Sequence, residues 1–440
     1  MRKKLFIKNV MIMSVSALLI RCIGMLFSVK SAEIMGAETL GRFRLVICVY
    51  ALFLLASTSG VGITVTRLAG DLIACKNDAQ ACFVRDRAAA FSLLLGAVSG
   101  ILMLCTSFFL PGELFSSGSV NAVRILALSL PFAAFSSSMR GYFTARKKIL
   151  RNSVEQLIEQ LAEIAVFLLL CKDQFRMGLS PLFCAAAASC CAEIISFFYS
   201  AALLFIDRRK NTKPAGMQGL FSAAMPILIP CTASGALRSA LSLIENCLIP
   251  AGLIKASGQG GQAMADYGII SGMALPWIMF PSVFIIPVSQ LIVPEMSGAR
   301  KLGQKKSIAH MSRKLIRVTV IYSLLAMLPF ILFPYNIAGL LGYPEKAGFF
   351  MRVLALLIPL SFLDSIADGM LKGLDCQKSY FGINMIESVL RIIMALTLVP
   401  LFGAAGAAAL IILGELVNVT LSLWKVISVC QPGKNLPARQ

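Results

Sequence analysis

Apolar runs long enough to cross a bilayer recur along the whole chain, each closed by charged or turn-forming residues. A helical crossing takes roughly 20 apolar residues, and the two-residue alternation of a membrane barrel is absent. We therefore predict about twelve helical spans in two groups of six. Their approximate positions are 9–29, 44–66, 88–110, 123–143, 154–170, 181–206, 219–253, 267–293, 318–341, 349–371, 381–401 and 404–427.

A sequence repeat relates the two groups. The stretch from Leu126 to Glu159 has a second copy at Leu354 to Glu387, an offset of 228 positions. A repeat of about half the chain indicates a duplicated bundle. The prediction is an all-α polytopic protein with a six-helix lobe at 1–206, a basic cytoplasmic linker at 207–217 and a second lobe at 218–440. Eight identical pairs carry the repeat: Leu126/Leu354, Ala127/Ala355, Leu128/Leu356, Pro131/Pro359, Ser137/Ser365, Gly141/Gly369, Ile158/Ile386 and Glu159/Glu387.

Composition excludes a soluble fold. Apolar residues form 58% of the chain, charged residues 14%, and the mean hydropathy is +0.82. A net charge of +20 would point to nucleic acid in a soluble protein. Here the basic residues concentrate in alternate loops and both tails, as the positive-inside rule requires of cytoplasmic segments. We expect a multi-pass cell-membrane protein with both termini cytoplasmic and no nucleic-acid partner.

Few residue patterns in the chain favour catalysis or metal binding. The 13 cysteines are scattered without a CxxC pair, and the one histidine, His310, lies in a basic loop. Clustered aspartates, which a membrane enzyme acting on polyprenyl phosphates would need, are absent from the sequence. We predict neither an enzyme nor a cofactor or metal site, and leave a coupling ion, Na⁺ or H⁺, open.

Two arginines interrupt apolar spans. Arg21 and Arg238 each lie in the first span of their group, and a buried arginine costs about 2.5 to 3.5 kcal/mol on insertion scales. They are predicted to face a cavity, where guanidinium groups form forked hydrogen bonds to a pyrophosphate. The alternative is a structural pair with Glu245 or Glu163.

Acidic residues also enter the spans. Glu155, Glu159 and Glu163 share one helix face. Glu155 is expected to be solvated near the cytoplasmic surface, whereas Glu159 is open between cation binding and a structural role. Asp368 with Lys372, and Glu387 with Arg391, have the four-residue spacing of intrahelical ion pairs, and pairing is the expected role.

Several stretches resemble a known family. They are RCIG at 21–24, MGAETLG at 35–41, ITVTRLAGD at 63–71, RGYFTARKK at 140–148, SVEQLIEQ at 153–160 and LIVPEMSGA at 291–299. On these stretches the chain resembles stage V sporulation protein B-like polysaccharide biosynthesis proteins of the multidrug/oligosaccharidyl-lipid/polysaccharide (MOP) exporter superfamily. It resembles MurJ-type lipid II flippases more distantly.

The resemblance implies a MATE-like arrangement of two lobes around a central cavity, and bulky lipid-linked substrates. The family often has a second basic residue seven places after the first-span arginine; here that position is Ser28, with Lys30 nearby. The candidate substrate-binding residues are Arg21, Lys30, Glu159, Arg238, Glu245 and Asn246.

The expected function is alternating-access translocation of an undecaprenyl-pyrophosphate saccharide, a cell-wall or polysaccharide precursor. The expected partners are this substrate, membrane lipids and cell-wall synthesis proteins. Two alternatives stay open. One is a cation-coupled multidrug exporter of the same superfamily, relying on Glu159, Glu245 and Asp364; the other is a non-transporting scaffold of a cell-wall assembly complex.

Overall fold

The computed structural model describes residues 2–110, 114–172, 180–210, 220–302 and 304–430. Within these ranges the regular elements are helices, which confirms the all-α prediction. The predicted linker at 207–217 falls largely on residues 211–217, outside the described ranges. The helices are α1 Arg2–Ala74, α2 Asp78–Thr106, α3 Ser117–Ala127, α4 Leu130–Ala145, α5 Ile149–Lys172, α6 Pro181–Lys210, α7 Leu220–Ser257, α8 Gly260–Tyr267, a π-helix Gly268–Ala274, α9 Leu275–Ile278, α10 Ser282–Lys301, α11 Lys305–Leu332, α12 Pro334–Gly339, α13 Pro344–Leu354, α14 Leu357–Gly373 and α15 Gln377–Cys430.

The helices have the length and apolarity of a polytopic membrane protein. Seven helices in the described ranges can each cross a membrane, and two bent pairs raise the number to nine. Two of the seven, α1 and α15, each contain two predicted spans. They are interrupted by non-helical backbone at Gly36 (φ 71°) and Gly403 (φ 57°), conformations that glycine adopts at little steric cost.

The chain forms two compact units that differ from the sequence division. The first comprises Met1–Phe27 and Arg42–Asn246, and the second Ser28–Gly41 and Cys247–Gln440. The segment before Gly41 is anchored in the second unit, where Trp277 Nε1 donates to Ser28 Oγ at 3.1 Å. The lobe boundaries at 1–206 and 218–440 stay a prediction.

The sequence repeat has a structural counterpart in each unit. In the first unit, α3 and α4 form a pair bent by 45°, and in the second, α13 and α14 form a pair with the same bend. The two pairs begin and end at positions separated by 227 or 228 residues, since Ser117–Ala127 corresponds to Pro344–Leu354. Duplication therefore preserves the broken helix as well as the apolar pattern.

The turn that follows each bent pair is repeated as well. Lys147 (φ 58°) and Asp375 (φ 61°), at equivalent positions, both have left-handed backbone. In each turn the amide of the following residue donates a hydrogen bond to the carbonyl five residues before it. These bonds are Lys148 N to Phe143 O and Cys376 N to Leu371 O, both at 2.9 Å. The two bent pairs therefore end with the same kind of helix cap, a left-handed residue followed by a hydrogen bond back to the last turn.

Glycine at one repeat position permits close helix packing in both units. A β-carbon on Gly141 would lie 2.5 Å from the carbonyl oxygen of Gly62 on α1. One on Gly369 would lie 2.6 Å from the carbonyl oxygen of Ser289 on α10. Both distances are below van der Waals contact, so a side chain at either position would push two helices apart. This explains the Gly141/Gly369 identity.

Candidate functional site: a basic pocket beside buried carboxylates

Two of three regularly spaced glutamates on α5 pair with one arginine on α4. Glu155, Glu159 and Glu163 recur every four residues, which places them on one side of the helix. Arg140 Nη1 lies 3.2 Å from Glu155 Oε1 and 3.5 Å from Glu159 Oε2. Ser196 Oγ on α6 donates a 2.9 Å hydrogen bond to Glu155. The arginine therefore ties α4 to two carboxylates of α5.

This pairing corrects the expectation for Glu155. Its position in the sequence predicted a solvated side chain near the membrane surface, but the side chain is only 1% exposed. Arg140 and Ser196 supply the interactions that water would otherwise provide. A carboxylate taken out of water is costly unless it is paired and hydrogen-bonded, so the prediction of solvation was wrong.

Hydroxyl groups extend this network through the first unit. Ser189 Oγ donates to Glu163 at 2.6 Å, and Tyr50 OH donates to Glu193 at 3.5 Å. Ser129 Oγ donates to Tyr50 OH at 3.0 Å. The network thus holds carboxyl groups on α5 and α6 with neutral donors as well as with Arg140. Its four acidic members, here called the carboxylate cluster, are Glu155, Glu159, Glu163 and Glu193.

Arg140 also lines an open pocket between α1 and α4. The pocket has a volume of about 530 Å³, and Arg67, which is exposed, lines it as well. Two guanidinium groups and several hydroxyls suit an anionic, oxygen-rich ligand, because arginine forms forked hydrogen bonds to phosphate oxygens. The rest of the wall of this basic pocket consists of Thr58, Ser59, Gly62, Ile63, Thr66, Ser137, Gly141 and Thr144.

Hydroxyl groups in the basic pocket are oriented by the helix backbone. Ser59 Oγ donates to the carbonyl of Leu55 at 2.6 Å, and Thr66 Oγ1 donates to that of Gly62 at 2.8 Å. Thr66 Oγ1 also lies 3.0 Å from the carbonyl of Gly141 on α4, so both hydroxyl hydrogens point to backbone carbonyls while the oxygen lone pairs stay available. Such oxygens can accept hydrogen bonds from the hydroxyl groups of a sugar.

The arginines predicted from the sequence lie elsewhere in the first unit. Arg21 is half-buried on α1, and Arg238 is exposed on α7. Glu245, also on α7, is half-buried. Glu159 joins the carboxylate cluster beside Arg140. Of the predicted residues, Glu159 is thus the one whose contacts connect it to the basic pocket; a role in substrate binding stays a prediction for all of them.

Two other candidates make local contacts. Lys30 Nζ lies 2.7 Å from Glu33 Oε2, and both side chains are largely exposed. Asn246 Nδ2 donates to the carbonyl of Ser242 at 2.8 Å. Ser28, at the position where the family often has a basic residue, accepts from Trp277. These contacts hold each side chain to a neighbouring part of its own unit.

Sequence analysis did not select Arg67 and Arg140, although two signals marked them. Arg140 opens RGYFTARKK and Arg67 lies within ITVTRLAGD, both stretches that carry the family resemblance. Neither was selected as a ligand, and each lies near the end of a predicted span, where basic residues are common for topological reasons. Only the packing of α4 against α1 brings the two arginines to one pocket.

The second unit contains a related set of charges. Arg391 Nη2 on α15 lies 2.7 Å from Glu387 Oε1 and 3.0 Å from Glu415 Oε2. On α14, Lys372 lies 3.5 Å from Asp368. The predicted i,i+4 pairs are therefore confirmed. Among the residues that the structure describes, no group of three or more His, Cys, Asp or Glu side chains is arranged to hold a metal ion.

A buried aspartate near the end of α6 is surrounded by basic side chains. Asp207 Oδ2 lies 2.7 Å from Arg85 Nη1 and accepts from Tyr142 OH at 3.0 Å. Lys148 and Arg151 lie 3.5 and 3.9 Å from Asp207 Oδ1. Burial and the neighbouring Arg151 lower the pKa of Lys148, while Asp207 acts in the opposite direction. This network, here called the Asp207 hub, joins α2, α4, α5 and α6.

Comparison with known proteins identifies relatives along nearly the whole chain. The profile of the family described as polysaccharide biosynthesis protein matches residues 6–300, and that of MatE matches 243–397. Stage V sporulation protein B of Bacillus subtilis (strain 168) is 21% identical over 450 residues, covering 98% of this chain and 85% of that protein. Sporulation protein YkvU of the same organism is 18% identical, covering 79% and 78%.

Solved structures share the fold. A multidrug resistance MATE family transporter of the MOP superfamily, in an inward-facing conformation, superposes with a TM-score of 0.77 at 16% identity, over 95% of this chain and 98% of that one. A MOP superfamily transporter from Pyrococcus furiosus gives 0.71 at 15% identity, over 96% and 95%. Because its profile covers more than half of the sequence, the chain belongs to the polysaccharide biosynthesis protein family.

Proposed function

We propose that this transporter moves an undecaprenyl-pyrophosphate-linked saccharide, a cell-wall or polysaccharide precursor, from the cytoplasmic to the outer leaflet. The observation that carries the proposal is the basic pocket. It combines Arg67 and Arg140 with hydroxyl oxygens in a volume of about 530 Å³. The arginines bind the pyrophosphate and the hydroxyls bind the first sugar, while the lipid tail stays in the bilayer. Alternating access then carries the headgroup across.

The family supports this class of substrate. Its description refers to polysaccharide biosynthesis, and polysaccharides of bacterial envelopes are assembled on lipid carriers. A cell-membrane protein with both termini on the cytoplasmic side would meet such precursors in the leaflet where they are made. Proteins of cell-wall synthesis are proposed partners on the same grounds. A scaffold that does not transport would leave leaflet exchange at the rate of protein-free vesicles.

The test is leaflet exchange of a fluorescent lipid-linked saccharide in proteoliposomes. Arg67→Gln should slow exchange about 10- to 100-fold, the loss expected when hydrogen bonds to a charged group are removed. Arg67 is exposed, so the variant should fold. Lys76→Gln, at an exposed position beyond the end of the same helix, is the matched control. Unchanged exchange by Arg67→Gln would overturn the assignment of the pocket.

Arg140 is tested by a conservative change, because its removal leaves Glu155 buried without a cation. Arg140→Lys keeps the charge but loses the fork that suits a pyrophosphate. Exchange should fall while the protein stays monodisperse. Arg21→Ala should abolish exchange if Arg21 is a second ligand, with partial rescue by Arg21→Lys. Normal export by Arg21→Ala at wild-type protein level would remove Arg21 from the site.

The carboxylate cluster favours a second candidate, cation-coupled export of a hydrophobic compound. Arg140 pairs with Glu155 and Glu159, and hydroxyl groups donate to Glu163 and Glu193 in the described part of the first unit, so binding of a proton would help to balance the carboxylates that one guanidinium does not neutralise. Imposing a Na⁺ or H⁺ gradient separates the candidates. Gradient-driven efflux of a cationic dye that Glu159→Gln abolishes, without lipid exchange, would favour the exporter.

A further inference from the structure

A second cavity in the first unit differs in chemistry from the basic pocket. It lies between α1, α2 and α7 and has a volume of about 60 Å³. Its wall is apolar, with contributions from Val65, Leu68, Phe91, Met225 and Leu228, and its one charged member is Arg87. We call it the apolar cleft. An apolar wall offers water few hydrogen-bond partners, so a segment of hydrocarbon suits this cleft better than water does.

An exposed apolar face of α2 continues from the cleft. Leu94, Val98 and Ile101 are 62%, 46% and 60% exposed, and they follow Arg87 and Phe91 at the three- and four-residue spacing of one helix face. From Arg87 to Ile101 the face is roughly 21 Å long at the rise of an α-helix. This is close to the extended length of one fatty acyl chain.

The charged end of this face is available to an anion. Arg87 is exposed and lies at the predicted cytoplasmic boundary of the third span. Its guanidinium carbon is 5.2 Å from the centroid of the Phe83 ring. Within the described ranges Arg87 forms no ion pair with a carboxylate, in contrast to Arg85 two positions earlier, which pairs with Asp207. A guanidinium stacked on a ring keeps its forked donors free for phosphate.

We infer that Arg87, the apolar cleft and the exposed face of α2 form a binding site for an anionic phospholipid of the cytoplasmic leaflet. The phosphate binds Arg87, one acyl chain lies along Leu94 and Val98, and the cleft takes a short segment of the other chain. About 60 Å³ accepts a few methylene groups. This narrow space favours an unbranched acyl chain over the methyl-branched chain of a polyprenyl phosphate.

The site is separate from the basic pocket. Arg67 lines the pocket and the adjacent Leu68 lines the cleft, so consecutive residues of α1 contribute to the two cavities. The phospholipid is therefore a permanently bound lipid rather than the transported molecule. A test of its binding is independent of a test of the transport proposal. A bound lipid at this position would also fill the space between α2 and the beginning of α7.

Native mass spectrometry of the purified protein measures the binding directly, with phosphatidylglycerol, phosphatidylcholine and undecaprenyl phosphate as probes. Phosphatidylglycerol should bind more tightly than phosphatidylcholine. Arg87→Gln should weaken phosphatidylglycerol about fivefold and weaken phosphatidylcholine less, because the choline cation offsets the phosphate charge of that lipid. Lys76→Gln, an equal change of charge at the same end of the unit, should alter neither by more than about twofold.

Filling the cleft tests the apolar part of the site. Ala88 and Ala224 line the cleft from opposite helices, α2 and α7, so Ala88→Leu and Ala224→Leu each occupy its space. Either variant that stays monodisperse should bind phosphatidylglycerol more weakly than the wild type. The inference is overturned if Lys76→Gln weakens binding as much as Arg87→Gln, if both filled variants bind normally, or if undecaprenyl phosphate displaces phosphatidylglycerol from the wild type.

Discussion

Asp207→Asn should be among the most destabilising single changes in the first unit. The substitution keeps the shape of the side chain and removes its charge. Asp207 is 4% exposed and its partner Arg85 is 2% exposed, with the two charged atoms 2.7 Å apart. The amide would leave the Arg85 guanidinium buried beside a neutral group. It would also leave Lys148 and Arg151 repelling one another without the carboxylate that now lies near both.

Removing one partner of a buried ion pair costs about 3 to 5 kcal/mol, because the other charge stays buried and uncompensated. Arg85 keeps a second carboxylate, since its Nε lies 2.9 Å from Asp86 Oδ1. The free energy of unfolding should therefore fall by the lower value of this range, about 3 kcal/mol. SDS titration in mixed micelles, followed by far-UV circular dichroism, measures the free energy of unfolding.

Asp78→Asn is the matched control. Asp78 also pairs with an arginine, Arg146, at 3.1 Å, but its side chain is 62% exposed, so its loss should cost no more than about 1 kcal/mol. The double variant Arg85→Met with Asp207→Asn should be less destabilised than the sum of the single changes. Equal losses for Asp207→Asn and Asp78→Asn, or additive losses in the double variant, would refute the assignment of the Asp207 hub as a buried charge network.

Three further outcomes follow from local geometry. Gly141→Ala should lower the free energy of unfolding by about 1 to 3 kcal/mol, because its β-carbon would meet the Gly62 carbonyl. The control Gly298→Ala, with open space around it, should instead raise the free energy of unfolding by up to about 1 kcal/mol. Lys147→Gly should stabilise by about 1 kcal/mol, since it relieves a left-handed backbone conformation at a non-glycine residue, and an unchanged unfolding curve would count against that strain. In intact cells, cysteines at positions 147 and 306 of a protein depleted of native thiols should resist a membrane-impermeant reagent added outside, and labelling of either would reverse the predicted topology.

The sequence predicted the helices well because the bilayer imposes a strong constraint on composition. Each predicted span requires a run of apolar residues, and no other fold class tolerates so many runs in one chain. The repeat was recoverable for a related reason. Gly141 and Gly369 are fixed by close packing of two helices in each unit, so a steric requirement preserved the identity after other residues had diverged.

The candidate site was less accessible from the sequence, because its parts come from different helices. Periodicity placed Glu155 and Glu159 on one face of α5, but spacing along one helix does not show which neighbour that face meets. Arg140 was therefore identified only as part of a stretch that carries the family resemblance, and Glu155 was expected to be solvated. The structure brings them within 3.2 Å. Interhelical partners of this kind follow from tertiary packing, which a single sequence does not encode in any local pattern.

The two units use the same repeat position differently, and this difference bears on substrate recognition. Glu159 and Glu387 are equivalent, and each pairs with an arginine. The first unit places that arginine on α4, at Arg140, whereas the equivalent residue of the second unit is Asp368, and its arginine, Arg391, lies on the same helix as Glu387.

Arg391 has both of its carboxylate partners on α15, Glu387 four residues before it and Glu415 beyond the break at Gly403. Arg140 instead reaches from one helix to another, and its side chain is 27% exposed, so it can meet a ligand in the basic pocket while it neutralises Glu155 and Glu159. A phosphate bound there would compete with both carboxylates for one guanidinium. Binding of an anion would then be coupled to protonation of the carboxylates in the first unit, because both involve Arg140. The order of acidic and basic residues in the second unit does not provide this coupling.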